Sequence, residues 1–275
     1  MKTFFALIRN PQGALGTAIV TLLLTVAILG PTIAPNDPET FHFGARFAAP
    51  SAEFPFGTDW YGRDLFSRIL VGARSTVLLA ILATLIGTVS GAIIGVLSGY
   101  LGGWADEVIM RVIDAIMAIP SLLFALMILA ALGSSALNAV LAIGIAFAPG
   151  MARIARSVTL QVRVLDYVAA AQARGEKLGW IVLAEVLPNT IAPVIVESTI
   201  RVAFAIMTLA TLSFLGLGAQ PPSPEWGLMI AEARDHLFRS PWPIIAPGAA
   251  IALVAIGFNL LGDGLRDVLN PKTAE

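Results

Sequence analysis

Charge falls along this chain in blocks, and long stretches carry none. Gly13 to Ala34 is uncharged and almost wholly apolar, as are Ser75 to Trp104 and Ala115 to Ala152. A bilayer-crossing helix needs about 20 apolar residues to cover roughly 30 Å of hydrocarbon. The first two stretches each suit one crossing, and the third is almost twice too long. Gly133-Ser134-Ser135 and Asn138 interrupt it with turn-forming residues, which predicts two spans near 115–133 and 135–152 joined by a tight hairpin. Pro193 to Gly218 and Ser240 to Gly262 follow, the former with Glu197 and Arg201 near its start. The pattern predicts an all-α membrane protein with six transmembrane helices.

The same pattern organises the chain. Residues 1–74 read as an anchor helix, about 13–34, followed by an extracytoplasmic segment, about 35–74. The anchor's apolar run exceeds the roughly 7–15 residues of a signal-peptide core and predicts an uncleaved span. Residues 75–275 read as the remaining transmembrane domain, with a loop at 153–192 between the fourth and fifth spans. Six spans place both termini on one side. Arg153, Arg156, Arg163, Arg174 and Lys177 crowd the loop on that side, so it is predicted to be cytoplasmic.

Composition sharpens the exclusions. Of the 275 residues, 57% are hydrophobic and 13% charged, against about 25% charged in a soluble domain. A net charge of -1 offers no field for nucleic acid. With no cysteine, disulfides and thiolate metal sites are excluded, and His42 and His236 stand too far apart for a metal cluster. No histidine in a span could activate a buried serine, so no catalytic constellation is found. The lysines follow Met1, Glu176 and Pro271, so none completes a glycine-rich phosphate loop. No cofactor is expected in this chain.

Two features within the spans stand out. Gly87, Gly91, Gly95 and Gly99 recur every four residues and form a smooth stripe along one helix face. Such a stripe lets another backbone approach closely, which predicts helix packing. Glu197 and Arg201 share a face at a spacing of four, as a structural ion pair or as part of a solute pathway. Their position near the start of the span predicts snorkelling to the membrane surface, which lowers the cost of the charge. Thr208 and Thr211 are the other pathway candidates in that span.

Between the fourth and fifth spans, Ala152 to Pro193 reads ARIARSVTLQVRVLDYVAAAQARGEKLGWIVLAEVLPNTIAP. Composition predicts a helix from Val158 to Ala173, a stop at Gly175, and a second helix from Lys177 to Leu187 that Pro188 breaks. A helix–Gly–helix lying across a membrane face can dock in a partner's groove. Ala169-Ala170-Ala171, Gly175 and Leu187-Pro188 match the spacing of the EAA loop of ABC-importer permeases. Ala169 replaces the motif's Glu and Glu185 its Ile.

Further matches narrow the resemblance to the C-type permeases of the dipeptide/oligopeptide/nickel group. They are FGTDWYGRDLFSRILVGARSTV from Phe56, GYLGGWADEVIMRVID from Gly99, LSFLGLGAQPPSPEWG from Leu212 and FNLLGDGLRDVLNP from Phe258. Members of that group commonly carry Glu where Leu209 stands here. The resemblance implies a type I ABC-importer permease bundle in a bacterial or archaeal inner membrane. It implies pairing with a homologous B-type permease, two ATP-binding subunits and an extracytoplasmic solute-binding protein. ATP and magnesium would be used by the partner ATPases, which would seat on the 153–192 loop through Ala169, Ala170, Ala171, Gly175, Leu187 and Pro188. Peptides lead the implied substrates, with nickel chelates, glutathione, opines and oligosaccharides open. The alternatives are a self-contained ion-coupled secondary transporter and a non-transporting membrane scaffold.

Overall fold

The computed structural model describes residues 2–269, and no strand occurs among them. Asn270, Pro271 and Lys272, which close the last motif and the charge bias, lie outside the described residues. A short helix α1 (Lys2–Arg9) leads into α2 (Pro11–Ile33), α3 (Leu65–Leu101), α4 (Gly103–Met117), α5 (Ser121–Leu132) and α6 (Ala136–Val162). Beyond these lie α7 (Asp166–Ala173), α8 (Leu178–Trp180), α9 (Leu187–Phe214), α10 (Trp226–Ala233) and α11 (Trp242–Leu269). Five helices are long and apolar enough to cross a membrane, and the count reaches six when the bent pair α4–α5 is taken as one broken span.

Three limits differ from the hydropathy reading, each for a local reason. Helix α3 starts at Leu65, ten residues before the uncharged stretch, because Asp64 caps it by accepting from the Phe66 and Ser67 amides. Arg68 and Arg74 therefore lie inside the helix, and Arg68 is fully buried because Glu232 and the Pro38 carbonyl partner it. Helix α6 continues past Ala152 to Val162, taking in Arg153 and Arg156. Aspartates on α4 receive them: Arg156 donates twice to Asp106 at 2.6 Å, and Arg153 once to Asp114 at 2.5 Å. The expected span at 115–133 is replaced by a corner. Helix α5 has 12 residues, about 18 Å at 1.5 Å each, too short for a crossing. Helix α4 meets it at 89°, with Pro120 at the corner, where its missing N–H and ring exclude a straight helix.

The loop at 153–192 also differs from its expected form. Helix α6 ends at Val162 and α7 begins anew at Asp166, so Val158–Ala173 is two helices with a turn at 163–165. Gly175 has φ +76°, its amide bonds the Gln172 carbonyl, and the Glu176 amide bonds Ala171. This is a Schellman stop, for which the left-handed residue needs to be glycine. Pro188 does not break the next helix. The turn Ile181–Val186 just before it is π-helical, and Leu178–Phe214 forms one span of 37 residues. The Leu187 amide bonds Val182, five residues back, so the ladder shifts before the proline that cannot donate.

Two apolar cores result. The larger joins Val77, Ala80 and Ala83 on α3 to Ile143 and Phe147 on α6 and Ile206 and Leu209 on α9. The smaller unites Val96, Met151 and Ala155 with Val168, Ala171, Ile181 and Val186 of the loop region. Leu209 is buried in the larger core. The glycine stripe lies against α6. A side-chain carbon at Gly87 would stand 2.8 Å from the Gly144 carbonyl oxygen, and one at Gly95 would overlap that of Ala152. Gly95→Leu is therefore expected to cost the upper part of the about 1–3 kcal/mol typical of overpacking. Thermal unfolding in detergent should show a lowered midpoint for Gly95→Leu. It should show none for Gly248→Leu, where nothing lies within 4 Å.

Both described chain ends lie at the end of the bundle that carries α7. Gly264 of α11 packs on Gly13 of α2, and Asn10 Nδ2 donates to Asp267 Oδ2 at 3.0 Å. At the opposite end the backbone of Leu70 on α3 covers Gly30 of α2.

Candidate functional site

The α7 end presents an exposed, largely apolar surface built on its own core. Val168 and Ala171 point inward, fully buried, and fix α7 against the π-helical turn. Ala169 and Ala170 point outward, as do Gly175 and Pro188, while Leu187 is half-buried. The expected docking residues are thus divided, with Ala171 in the core. Around the outward ones stand Val164, Tyr167, Leu178, Trp180 and Leu183, all exposed. Glu185, the motif departure, is met within the segment: Arg174 lies 4.0 Å from it and 3.7 Å from Glu176, and stacks over Trp180 at 6.0 Å.

A second site lies within the bundle. A cavity of about 420 Å³ opens between the α4–α5 corner, α6 and α9, walled by Met117, Phe124, Phe147, Glu197, Arg201 and Phe204. Arg201 Nη2 forms an ion pair with Glu197 Oε1 at 3.0 Å, and its guanidinium lies 5.7 Å from the centre of the Phe147 ring. It rests on Gly150, where a side-chain carbon would come within 2.8 Å of Nη2. Arg201 Nε is buried and has no acceptor. Arg201 falls at the middle of the 28-residue α9, about 20 Å from either end at 1.5 Å per residue. A charge inside a membrane helix is costly, about 2.5–3.5 kcal/mol at mid-bilayer on insertion scales, so its place beside a cavity calls for a function.

The structure brings Thr208 into this cavity but not Thr211, which lines a separate crevice beside Phe214 and Gly227. Both hydroxyls donate to their own helix, to Phe204 and Met207 at 2.8 and 2.7 Å. Glu197, Arg201, Phe204, Thr208, Thr211 and Leu215 nevertheless lie along one face of α9, alternating four and three residues apart. None of them is buried.

Sequence reasoning missed a charged clasp at the opposite end. Arg63 bonds Asp59 at 2.5 Å and Glu232 at 2.8 Å, and Arg68 approaches Glu232 at 3.7 Å. The clasp ties the segment before α3 to α10, some 170 residues away, so no local spacing signals it. Beside it, Glu225 caps α10 by accepting from Gly227 and Leu228. Burial pushes its carboxyl above the usual range, against the lowering effect of those amides. Trp226 is buried on α3, donating to the Ile69 carbonyl at 3.1 Å, and Gly227 admits the backbone of Ala210. The Pro-Glu-Trp-Gly part of the third motif is therefore a structural joint. His42 and His236 pack on Phe54 and Trp60, and no metal-binding cluster occurs among the described residues.

Residues 91–275 match the family model "binding-protein-dependent transport system inner membrane component". Residues 2–50 match "N-terminal TM domain of oligopeptide transport permease C". A dipeptide transport system permease of Alkalihalophilus pseudofirmus is 41% identical over 98% of this chain and 89% of its own length. A probable D,D-dipeptide transport system permease of Escherichia coli is 43% identical over 98% and 91%. A glutathione transport system permease of Shigella flexneri is 43% identical over 98% and 89%. An inward-facing structure of the MetNI methionine ABC transporter superposes with a TM-score of 0.60 at 17% identity. It covers 74% of this chain and 97% of its own, a likeness of fold.

Proposed function

The chain belongs to the binding-protein-dependent transport system inner membrane components, and we propose that it is the C-type permease of an ATP-driven importer of small peptides. A homologous B-type permease completes the pathway, covering the face of α9 that runs from Glu197 to Leu215. Two ATPases dock at the α7 end, which faces the cytoplasm, and a solute-binding protein delivers peptide at the end that carries the Arg63 clasp. The observation that carries this reading is the helix–Gly–helix segment. Its inward residues form a separate core with α3 and α6, so a push on Ala169–Gly175 passes to the bundle as a solid body. The substrate class follows the relatives, which are named for dipeptides and glutathione.

The energy source lies outside the chain. A secondary transporter needs intramembrane acids for ion coupling, and Glu197 is already engaged by Arg201. The test is uptake of a labelled dipeptide into vesicles. Uptake by the full complex with binding protein should require ATP, and this subunit alone should give none. Proton-driven uptake by the subunit alone would instead establish the secondary transporter.

A further inference from the structure

We propose that the cavity between the α4–α5 corner, α6 and α9 is a binding station for one small zwitterion, in which Arg201 takes a free carboxylate and Glu197 the nearby ammonium group. The inference deepens the peptide-importer reading and rests on it. It begins from an imbalance among donors. A guanidinium carries five N–H donors, and here Glu197 lies 3.0 Å from Nη2 as an ion pair while Nε has no acceptor. A planar fork of this kind matches a carboxylate, which supplies two oxygens in one plane. Nε is enclosed as the side chain now lies. Gly150 beneath the guanidinium and the open cavity beside it leave room for that edge to turn toward a ligand.

Charge decides the class of ligand. Glu197 and Arg201 cancel, so a simple anion meets the carboxylate and a simple cation meets the guanidinium. A solute carrying both charges satisfies both groups. The termini of an extended dipeptide lie about 5–7 Å apart, at roughly 3.3–3.6 Å per residue, and fit a cavity of about 420 Å³. Met117, Phe124, Phe147 and Phe204 supply apolar walls for the peptide's side chains. Thr208 donates to its own helix and keeps acceptor capacity toward the cavity for a peptide N–H.

A merely structural ion pair would behave differently, because a buried pair replaced by well-packed apolar residues is often neutral or stabilising. The test compares the complete importer with the double variant Glu197→Leu/Arg201→Met and with Arg201→Lys. The double variant should assemble as wild type while ATP-driven uptake of alanyl-phenylalanine falls at least about tenfold, with Arg201→Lys between them. A second arm leaves the pair intact. A Ser121→Cys reporter at the cavity rim is alkylated in the absence of binding protein, read on this subunit by mass spectrometry. Alanyl-phenylalanine should slow the alkylation, and its C-terminal amide and N-acetyl forms should not. Equal slowing by the capped forms would overturn the proposal, as would double-variant uptake within about twofold of wild type. A wild-type complex without ATP-driven dipeptide uptake would overturn the importer reading itself. An active wild type with an insensitive pair would overturn only this site.

Discussion

Ala170→Glu should abolish ATP-driven uptake, by about a hundredfold or more, while the subunit inserts and pairs with its partner permease normally. The two halves separate because of where Ala170 stands. Its side chain is exposed on α7, while its neighbour Ala171 is fully buried in the smaller core. Glutamate costs an exposed helix position only a few tenths of a kcal/mol in intrinsic preference, so the subunit's own fold is spared. Against a docked ATPase the same carboxylate is buried without a partner, at about 2–5 kcal/mol. Each 1.4 kcal/mol is about a tenfold loss of affinity. Gly175→Ala gives a graded companion. Nothing lies within 4 Å of a side-chain carbon there, so its cost is that of a non-glycine residue at φ +76°, about 1–2 kcal/mol. Uptake with ATP, together with cross-linking from Ala170→Cys to the ATPase, checks both. Normal uptake by Ala170→Glu would remove the docking surface from α7.

Hydropathy alone located the spans of α2 and α11, because their charges lie outside the apolar run and nothing tertiary competes. It misjudged α3 and α6, which absorb arginines. Arg68 and Arg156 lie in the packed part of these helices with Glu232 and Asp106, distant in sequence, opposite them. A single sequence shows the cost of such a charge but not the partner that offsets it. The α4–α5 corner was hidden for a related reason. Pro120 marks a break, but whether the chain turns there by 89° depends on what α4 finds to pack on, namely the arginines of α6.

The candidate sites were legible in proportion to how local they are. The stop at Gly175 and the pairing of Glu197 with Arg201 follow from spacings of a few residues, and both appear. The inward turn of Ala171 needed the partner surface of Val182 and Val186. The continuation of the helix before Pro188 needed the π-helical turn, which a proline read as a breaker does not signal.

The charged clasp supports the largest stability effect expected of a single substitution. Arg63 is 3% exposed, Arg68 1% and Glu232 15% in their side chains, so this is an interior network. Glu232→Ala leaves Arg68 hydrogen-bonded to the carbonyls of Pro38 and Ser223, at 3.2 and 3.4 Å, and leaves Arg63 with Asp59 and the face of Tyr61. Removing one partner of a buried pair typically costs about 3–5 kcal/mol, because the remaining charge stays desolvated. Glu232→Gln keeps an acceptor for Arg63 and should cost roughly half as much, since a neutral hydrogen bond replaces a charged one. Unfolding in detergent should rank wild type, Glu232→Gln and Glu232→Ala in falling order of midpoint. The same order should hold for the yield of assembled complex, because the clasp joins the segment before α3 to α10. Arg63→Met/Glu232→Leu together should recover much of the loss, although Arg68 would still lack its carboxylate. Glu232→Ala with an unchanged midpoint would mean that water reaches the clasp and screens it, and that its burial does not persist in the membrane.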